Sequence, residues 1–235
     1  FVGNGTPWRI LLDRLRKKGW VRLLEKGKYV FGDLIASEPE DAFVIASHLV
    51  RPSAVAYRSA LNHYGFTEQI SRTLYVQTTA RKASKLILEV PYKFVTVAEY
   101  KFFGLRTEWS GQAEFQITDP EKTIVDCFDL PNYAGGFGES LKAFCAAHSK
   151  LNKEILWEYS DKLGNITVMK RIAYISDLCG FKGFKGFKRK TMEKLTDAYS
   201  LFDPHSPRQG KHMAQWRLLA NVSEKTIREV AKSVS

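Results

Sequence analysis

The sequence has 235 residues and a mass of 26.8 kDa, which allows one large domain or two small ones. Hydrophobic residues make up 44% of it and aromatic residues 13%, and a chain with this much apolar surface for a core is not intrinsically disordered. Lys and Arg number 36 against 25 Asp and Glu, so the net charge is +11, which favours a polyanionic partner such as nucleic acid, although a generically basic protein has the same balance.

The first residues of the chain predict an amphipathic helix. Thr6 and Pro7 form a start signal, because Thr is a common N-cap and Pro is favoured at the first helical position. Apolar residues then recur at helical spacing along one face, namely Trp8, Leu11, Leu12 and Leu15. Charged residues occupy the opposite face, namely Arg9, Asp13, Arg16 and Lys17. Gly19 is a natural stop for this helix.

A β-hairpin is predicted directly after this helix. Residues 20–24 and 28–31 have the composition of two short strands, and residues 25–27 between them form a tight turn in which Gly27 can adopt a positive φ. A basic helix followed by a basic hairpin is the second half of a winged helix-turn-helix, in which the helix enters the DNA major groove and the hairpin, or wing, lies along the backbone. Residues 1–32 carry eight cations and two acids, more than half of the net charge of the chain.

This interpretation assigns DNA contacts to eight polar residues of the segment. Asn4 and Thr6, at the start of the helix, would reach base edges or phosphate. Three cations of the helix would face the groove, namely Arg9, Arg16 and Lys17. Three cations of the wing would hold the DNA backbone, namely Arg22, Lys26 and Lys28. The alternative is a solvated amphipathic helix packed on a hairpin. Because a complete module has one or two earlier helices, we expect the chain to be truncated at its N-terminus or part of it to be absent from the sequence.

The remainder of the chain predicts a larger α+β domain over residues 40–235, separated from a winged-helix part at residues 1–33 by a linker at residues 34–39. Helices are expected at residues 40–50, 54–64, 120–130, 139–148, 152–163, 167–179, 191–201 and 223–233. Strands of a mixed or antiparallel sheet are expected at residues 73–78, 85–90, 92–97 and 114–118, with a further strand at 213–220. The clearest signal is Asp119–Pro120–Glu121, where a capping side chain, a proline and an acid together start a helix.

Residues 180–190 contain three consecutive Gly-Phe-Lys triplets followed by two more cations. Glycine allows a backbone to approach phosphates, lysine neutralises them and phenylalanine can stack or wedge, so this segment is a second candidate for phosphate contacts. The residues in question are Lys182, Lys185, Lys188, Arg189 and Lys190. The alternative is a loop between helices whose phenylalanines pack into the core.

The cysteines and histidines favour neither a disulfide scaffold nor a metal site. Cys127, Cys145 and Cys179 are odd in number and widely spaced, which fits a reducing cytoplasm and excludes a zinc ribbon. The five histidines form no metal-binding spacing, so we expect no metal and no cofactor. No apolar run reaches the ~18 residues of a membrane span, so we expect no membrane partner.

Two segments of the larger domain have a distinctive order of residues. The first is Ala56-Tyr57-Arg58-Ser59-Ala60-Leu61-Asn62-His63-Tyr64-Gly65-Phe66-Thr67-Glu68-Gln69-Ile70, followed by the strand TLYVQTT. The second is Thr118-Asp119-Pro120-Glu121-Lys122-Thr123-Ile124-Val125-Asp126. Both segments resemble the AbiEi antitoxins of type IV toxin–antitoxin systems. The hairpin text GWVRLLEKGKYVF is also similar to the wing of that family, and the similarity extends over about residues 6–180.

The resemblance implies a DNA-binding transcriptional repressor that is also the antitoxin of a phage abortive-infection operon. Its winged helix would bind double-stranded operator DNA. The operator would consist of inverted repeats near the promoter of its own gene. Its larger C-terminal antitoxin domain would help to position the protein on DNA and would oppose a nucleotidyltransferase-like toxin without a tight complex. The Gly-Phe-Lys triplets are not a feature of the resemblance.

Two other functions are alternatives to DNA binding. A protein-docking module would use the basic helix to bind an acidic partner or the toxin directly. A metal-dependent nuclease would use carboxylates to hold Mg²⁺ and a lysine to steady water, and the available residues are Glu114, Asp119, Glu121 and Lys122. Their spacing departs from the usual motif because Pro120 separates them from one strand, so capping of the helix and a Lys122–Asp126 pair explain them better, and the chain is expected not to be an enzyme.

Overall fold

The computed structural model describes residues 6–31 and 39–234. The predicted linker lies almost wholly outside these ranges, and so do Asn4 and Gly32. The chain has an α+β fold, as the sequence predicts. No helix in the described ranges is long and apolar enough to cross a membrane.

The N-terminal helix and hairpin both form where the sequence predicts them. Helix α1 spans Thr6–Lys17, and the antiparallel strands β1 and β2 span Val21–Glu25 and Lys28–Phe31. Gly19 ends α1 with a φ of 75°, and Gly27 has a φ of 79° in the hairpin turn. Both angles lie in the left-handed region that glycine adopts without a steric cost, which explains why these two positions end a helix and turn a chain.

A six-stranded mixed sheet forms the centre of the molecule. Its strands lie in the order β5-β6-β4-β3-β8-β7, and the pairs β3–β8 and β4–β6 are parallel while the other neighbours are antiparallel. The strands are β3 (Ser53–Val55), β4 (Leu74–Thr78), β5 (Lys85–Ile87), β6 (Val90–Thr96), β7 (Leu105–Ser110) and β8 (Ala113–Thr118).

After the hairpin, two helices of the described residues precede or interrupt the strands of this sheet and six follow them, and together these helices build most of the core. They are α2 (Pro39–Leu49), α3 (Tyr57–His63), α4 (Pro120–Asp129), α5 (Phe137–Ala147), α6 (Lys153–Leu163), α7 (Ile166–Leu178), α8 (Lys185–Glu193) and α9 (Glu224–Ser233). The largest buried apolar cluster is drawn mainly from α3 to α9. A small sheet completes the fold with β9 (Ser200–Leu201), β10 (Lys211–Met213) and β11 (Leu218–Ala220), in the order β10-β11-β9.

The start of α4 confirms the strongest helix signal in the sequence. The Asp119 carboxylate accepts a hydrogen bond from the backbone N–H of Lys122 at 2.8 Å, and Pro120 occupies the first helical position. A capping side chain satisfies a backbone donor that the helix itself leaves without a partner. The same reasoning holds for α9, whose N-cap Ser223 accepts from the backbone N–H of Thr226.

The structure corrects four of the predicted elements. The strand expected at residues 85–90 ends at Ile87, because Leu88 and Glu89 have positive φ angles of 49° and 66° and turn the chain into β6. The helix expected at residues 54–64 begins only at Tyr57, because residues 53–55 form β3 between β4 and β8. The helix expected at residues 191–201 is wrong, since α8 occupies Lys185–Glu193 and residues 200–201 form a strand. The strand expected at residues 213–220 is two short strands, β10 and β11, separated by a turn at residues 214–217.

The hairpin packs against the rest of the protein through one of its faces. Leu24 is buried and Val30 is half-buried in a second apolar cluster, which also contains residues of α2, β4 and β6. The other face carries the cross-strand pair Leu23 and Tyr29, and both side chains are exposed. The hairpin is therefore a surface element with one anchored face and one accessible face.

Candidate nucleic-acid interface

The cations of α1 lie at the surface of the protein. Arg9, Arg14, Arg16 and Lys17 are all exposed, and the side chains of Arg16 and Lys17 have 54% and 76% of their surface accessible. The predicted groove-facing residues of this helix are thus available to a partner. Of the two predicted contacts at its start, Asn4 and the side chain of Thr6 lie outside what the structure describes.

Asp13 interrupts this cationic surface. Its carboxylate lies 3.0 Å from the Lys17 ammonium and 3.5 Å from the Arg16 guanidinium, at the i, i+4 and i, i+3 spacings that place side chains on one helix face. The hydrogen bond from Lys17 and its positive charge lower the pKa of Asp13 below its ordinary value of 3.8. Asp13 is therefore ionised at neutral pH.

A shallow recess of about 250 Å³ lies between α1 and the hairpin. Its lining combines two cations, the acid, one leucine and one tyrosine of β2, namely Arg9, Leu12, Asp13, Arg16 and Tyr29. The recess brings together two of the predicted groove-facing cations and joins the helix to the hairpin in one concave surface.

The three predicted wing contacts differ in their surroundings. Arg22 and Lys26 are exposed, as the DNA-binding hypothesis requires. Lys28 instead donates a hydrogen bond to the carbonyl oxygen of Leu49 at 2.7 Å and forms an ion pair with Glu25 at the same distance. Lys28 therefore connects the wing to the end of α2, and its ammonium is already held by two protein oxygens.

Glu25 fixes the turn of the hairpin to the edge of the main sheet. Its carboxylate lies 2.6 Å from the Lys82 ammonium, 2.7 Å from that of Lys28 and 4.0 Å from that of Lys85. Burial acts to raise the pKa of Glu25, but the hydrogen bonds and charges of Lys28 and Lys82 outweigh it and lower the pKa below its ordinary value of 4.5. The hairpin thus has a defined orientation on the body of the protein.

The same contact adds cations that the sequence analysis missed. Lys82 lies in the connection between β4 and β5, Lys85 is the first residue of β5, and Arg81, next to Lys82, is exposed. Their sequence run, Arg-Lys-Ala-Ser-Lys at residues 81–85, is the signal that could have identified them, but nothing in the sequence placed it beside the wing. The cationic surface therefore extends from the hairpin onto the edge of the main sheet.

The Gly-Phe-Lys segment has a different character. Phe184 and Phe187 are buried at 0% and 1% exposure, so a stacking or wedging role for them is wrong, and the alternative of phenylalanines packed into the core is confirmed for these two. Gly183 has a positive φ ahead of α8, which packs on α6 and α7.

The cations of that segment divide into two groups. Three of them form ion pairs with acids, namely Lys188 with Asp177, Arg189 with Glu193 and Lys190 with Glu154. Lys182 and Lys185 are exposed, and no ion pair within the described residues involves either of them. Phosphate contacts by this segment stay a prediction, and these two lysines are its most accessible members.

Two carboxylates of the alternative nuclease site accept hydrogen bonds from other groups of the protein. Asp119 accepts from Lys122 and also from the Tyr159 hydroxyl at 2.9 Å, while Glu121 accepts from the backbone N–H of Asn152 at 2.6 Å. Burial raises the pKa of Asp119. In the described part of the chain, no three His, Cys, Asp or Glu residues are grouped so that they could hold a metal ion.

Lys122 and Asp126 form a buried ion pair inside α4, as their i, i+4 spacing predicts. Gln77 donates a hydrogen bond from Nε2 to the Asp126 carboxylate at 3.1 Å and another to the Tyr57 hydroxyl. Burial raises the pKa of Asp126, while the charge of Lys122 opposes that effect. This network fixes α4 against β4 and α3, and Glu114 is not part of it.

Comparison with known proteins adds to the description of the fold. The chain matches no protein-family model and no curated protein. It is similar to a solved structure described as the crystal structure of RV2827C protein from Mycobacterium tuberculosis, with a TM-score of 0.66 and 16% sequence identity. The similarity covers 98% of this chain and 83% of that one, and at this identity it shows a shared α+β fold.

Proposed function

We propose that this protein is a sequence-specific DNA-binding transcriptional repressor, with α1 as the recognition helix and the β1–β2 hairpin as the wing of a winged helix-turn-helix. The observation that carries the proposal is the exposed cationic surface that these two elements share. Arg9 and Arg16 line the recess between them, and Arg22 and Lys26 lie on the accessible part of the hairpin. Such a surface matches the dense negative charge of a DNA backbone.

The geometry of the wing supports the same function. Ion pairs of Glu25 with Lys28 and Lys82 hold the hairpin in one orientation, so its cations are presented at fixed positions relative to α1. A preorganised surface loses less conformational freedom when it binds. Arg81 and Lys85 extend the surface at the wing tip, in agreement with a role of the larger domain in positioning the protein on DNA.

The second part of the proposal is that the repressor is the antitoxin of a type IV toxin–antitoxin operon. It rests on the resemblance of residues 56–70 and 118–126 to AbiEi antitoxins. Both segments lie in the larger domain, where they form α3 with the following turn and the start of α4. The cognate partner is a nucleotidyltransferase-like toxin, which the protein opposes without a stable complex.

A gel-shift titration at fixed salt tests DNA binding. The probe is the promoter region upstream of the gene for this chain, with a shuffled duplex of equal length as competitor. We expect the Arg9→Ala, Lys17→Ala double variant to bind the promoter at least tenfold more weakly and to lower the salt slope by roughly two, because two phosphate contacts are lost. The matched control is Lys225→Ala, Lys232→Ala, which removes two exposed lysines of α9. Equal affinity of the two double variants for the promoter would contradict the assignment of Arg9 and Lys17 to the DNA interface.

Growth rescue tests the antitoxin part separately. The toxin reading frame adjacent to the gene is expressed alone and then together with the wild-type chain or the Arg9→Ala, Lys17→Ala variant. We expect both to restore growth, because the larger domain carries the antitoxin segments and the α1 variant leaves it intact. Failure of the wild-type chain to restore growth contradicts the antitoxin role and leaves DNA binding to be judged by the gel shift.

Docking of a protein partner is a second candidate function because large apolar side chains are exposed on the same two elements. Trp20 and Phe31 have 62% and 68% of their surface accessible, and Trp8, Ile10 and Leu11 of α1 lie between 43% and 50%. Exposed apolar patches of this kind mark interaction sites. Co-purification of the toxin with the chain at moderate salt after nuclease treatment would favour docking, and Trp20→Ala would then reduce the recovered toxin.

A further inference from the structure

Asp13 is the only acidic residue in the sequence of α1, and it lies on the charged face of the helix between the cations that face a partner. Arg9 is one turn before it, and Arg16 and Lys17 are one turn after it. A carboxylate at this position repels phosphates and lowers the attraction of the helix for any DNA.

The fold gains little from this carboxylate. Its ion pairs with Arg16 and Lys17 are both at the surface, where 45% of the Asp13 side chain is accessible. Exposed pairs of this type contribute little to stability, because water and salt screen their charges. Neither packing nor capping explains Asp13, since it lies in the middle of α1 and lines a solvent-accessible recess.

The recess supplies a chemical reason for the residue. Asp13 lies in it with Arg9 and Arg16, between the helix and the hairpin. A carboxylate accepts a hydrogen bond from the cytosine amino group in the major groove, and an arginine beside it donates to the paired guanine. The charged groups of Asp13 and Arg16 lie 3.5 Å apart, so this acceptor and this donor are close enough together for one base pair.

We propose that Asp13 is a specificity-determining residue, which accepts a hydrogen bond from a cytosine amino group in the operator and weakens binding to duplexes without cytosine there. The inference rests on the proposed DNA-binding function. It predicts that Asp13 affects the ratio of affinities for two sequences more than the affinity for either one.

Selection from a random duplex library with the wild-type chain and with Asp13→Asn tests the inference. The best wild-type site and a shuffled duplex are then titrated with both proteins at one salt concentration. Asn is nearly isosteric with Asp, so the helix is retained, while the charge is removed and one acceptor oxygen is replaced by an NH2 donor. Glu229→Gln is the matched control, because Glu229 is also exposed and pairs with the lysine four residues before it on α9.

We expect Asp13→Asn to bind the shuffled duplex more tightly and to lower the selectivity ratio by roughly tenfold, while Glu229→Gln leaves the ratio unchanged. The sites selected by Asp13→Asn should also lose the preference for cytosine at one position of each half-site. An equal gain in affinity for both duplexes would show that Asp13 only repels phosphates regardless of sequence. That result would overturn the inference, although the proposed DNA binding would stand. Absence of binding by the wild-type chain to every duplex would overturn the proposed function itself.

Discussion

Two segments of this protein carry a similar excess of cations, but their surroundings differ. In α1 and the hairpin, Arg9, Arg22 and Lys26 are exposed, and the apolar residues Trp20 and Phe31 are exposed beside them. In the Gly-Phe-Lys segment, Phe184 and Phe187 are buried, and three of the five cations are paired with acids on neighbouring helices or on α8 itself. The first segment leaves these cations open to solvent, whereas most cations of the second form ion pairs within the protein.

The comparison shows that net charge along a sequence does not by itself identify a nucleic-acid surface. An accessible cation contributes to polyanion binding, and a protein carboxylate paired with it reduces that contribution. Arg16 and Lys17 share one such carboxylate on their own helix, that of Asp13. Arg9, Arg22 and Lys26 are exposed and form no ion pair within the described residues. Lys188 and Lys190 each have such a carboxylate, on α7 and α6 respectively. The partners of a charged residue are therefore more informative than the number of such residues.

Truncation of one phenylalanine in each segment should give the largest difference between the segments, measured as the loss in free energy of unfolding. Phe184→Ala should lower the free energy of unfolding by about 3–5 kcal/mol, because the ring is fully buried against Phe144 and Phe187 and its loss leaves a cavity. Phe31→Ala should lower it by less than about 1 kcal/mol, since the ring is mostly exposed. Denaturant titration checks both values. Similar losses for the two variants would show that the segments are not distinguished by burial.

Charge removal in each segment gives the next contrast. Arg22→Ala, Lys26→Ala should lower the slope of log affinity against log salt for promoter DNA by roughly two and weaken binding about tenfold. The double variant Lys182→Ala, Lys185→Ala removes the two accessible lysines of the other segment. We expect it to lower the slope by less than the hairpin variant does. Fluorescence anisotropy at several salt concentrations provides the comparison. An equal decrease in slope would assign both segments to the interface.

Glu25 gives the smallest expected effect and also a pH dependence. Glu25→Gln should weaken the anchoring of the hairpin by about 0.5–1 kcal/mol, since it loses the charge that holds Lys28 and Lys82. The pKa of Glu25 is lowered in the folded protein, so this contribution is present above pH 4.5 and is lost as the pH falls through the lowered pKa.

Hydrogen exchange of the β1 and β2 amides measures the effect of Glu25 locally. At pH 7 the variant should exchange faster than the wild type in the hairpin, with no change in α9. In equilibrium unfolding, the stability difference between the two proteins should shrink on acidification below pH 4.5. A difference that grows on acidification would contradict the assigned sign of the pKa shift.

Local signals in the sequence were sufficient for much of the fold. Gly19 ends α1, Gly27 turns the hairpin and Asp119 caps α4, and each of these depends on a few neighbouring residues only. The helix expected at residues 54–64 was predicted to begin too early, because strand pairing between distant segments determines the structure of its first residues. Residues 53–55 are compatible with a helix, but they form β3 between β4 and β8.

The strand β7 (Leu105–Ser110) was not predicted for a related reason. Its residues are largely polar and it lies at the edge of the sheet, so its sequence lacks the apolar alternation of a half-buried strand. At the candidate site, the sequence predicted the helix, the hairpin and their exposed cations. It did not predict the contact of Glu25 with Lys82, because 57 residues separate them.

Lysine footprinting on promoter DNA shows which surface of the protein the duplex covers. The protein is acetylated with a limiting reagent in the presence and absence of the promoter duplex, and the modification of each lysine is measured by mass spectrometry. We expect DNA to protect Lys17 of α1 and Lys26 of the hairpin several-fold, while Lys225 and Lys232 of α9 stay equally reactive. Protection of the α9 lysines with none at Lys17 and Lys26 would contradict the proposed DNA interface.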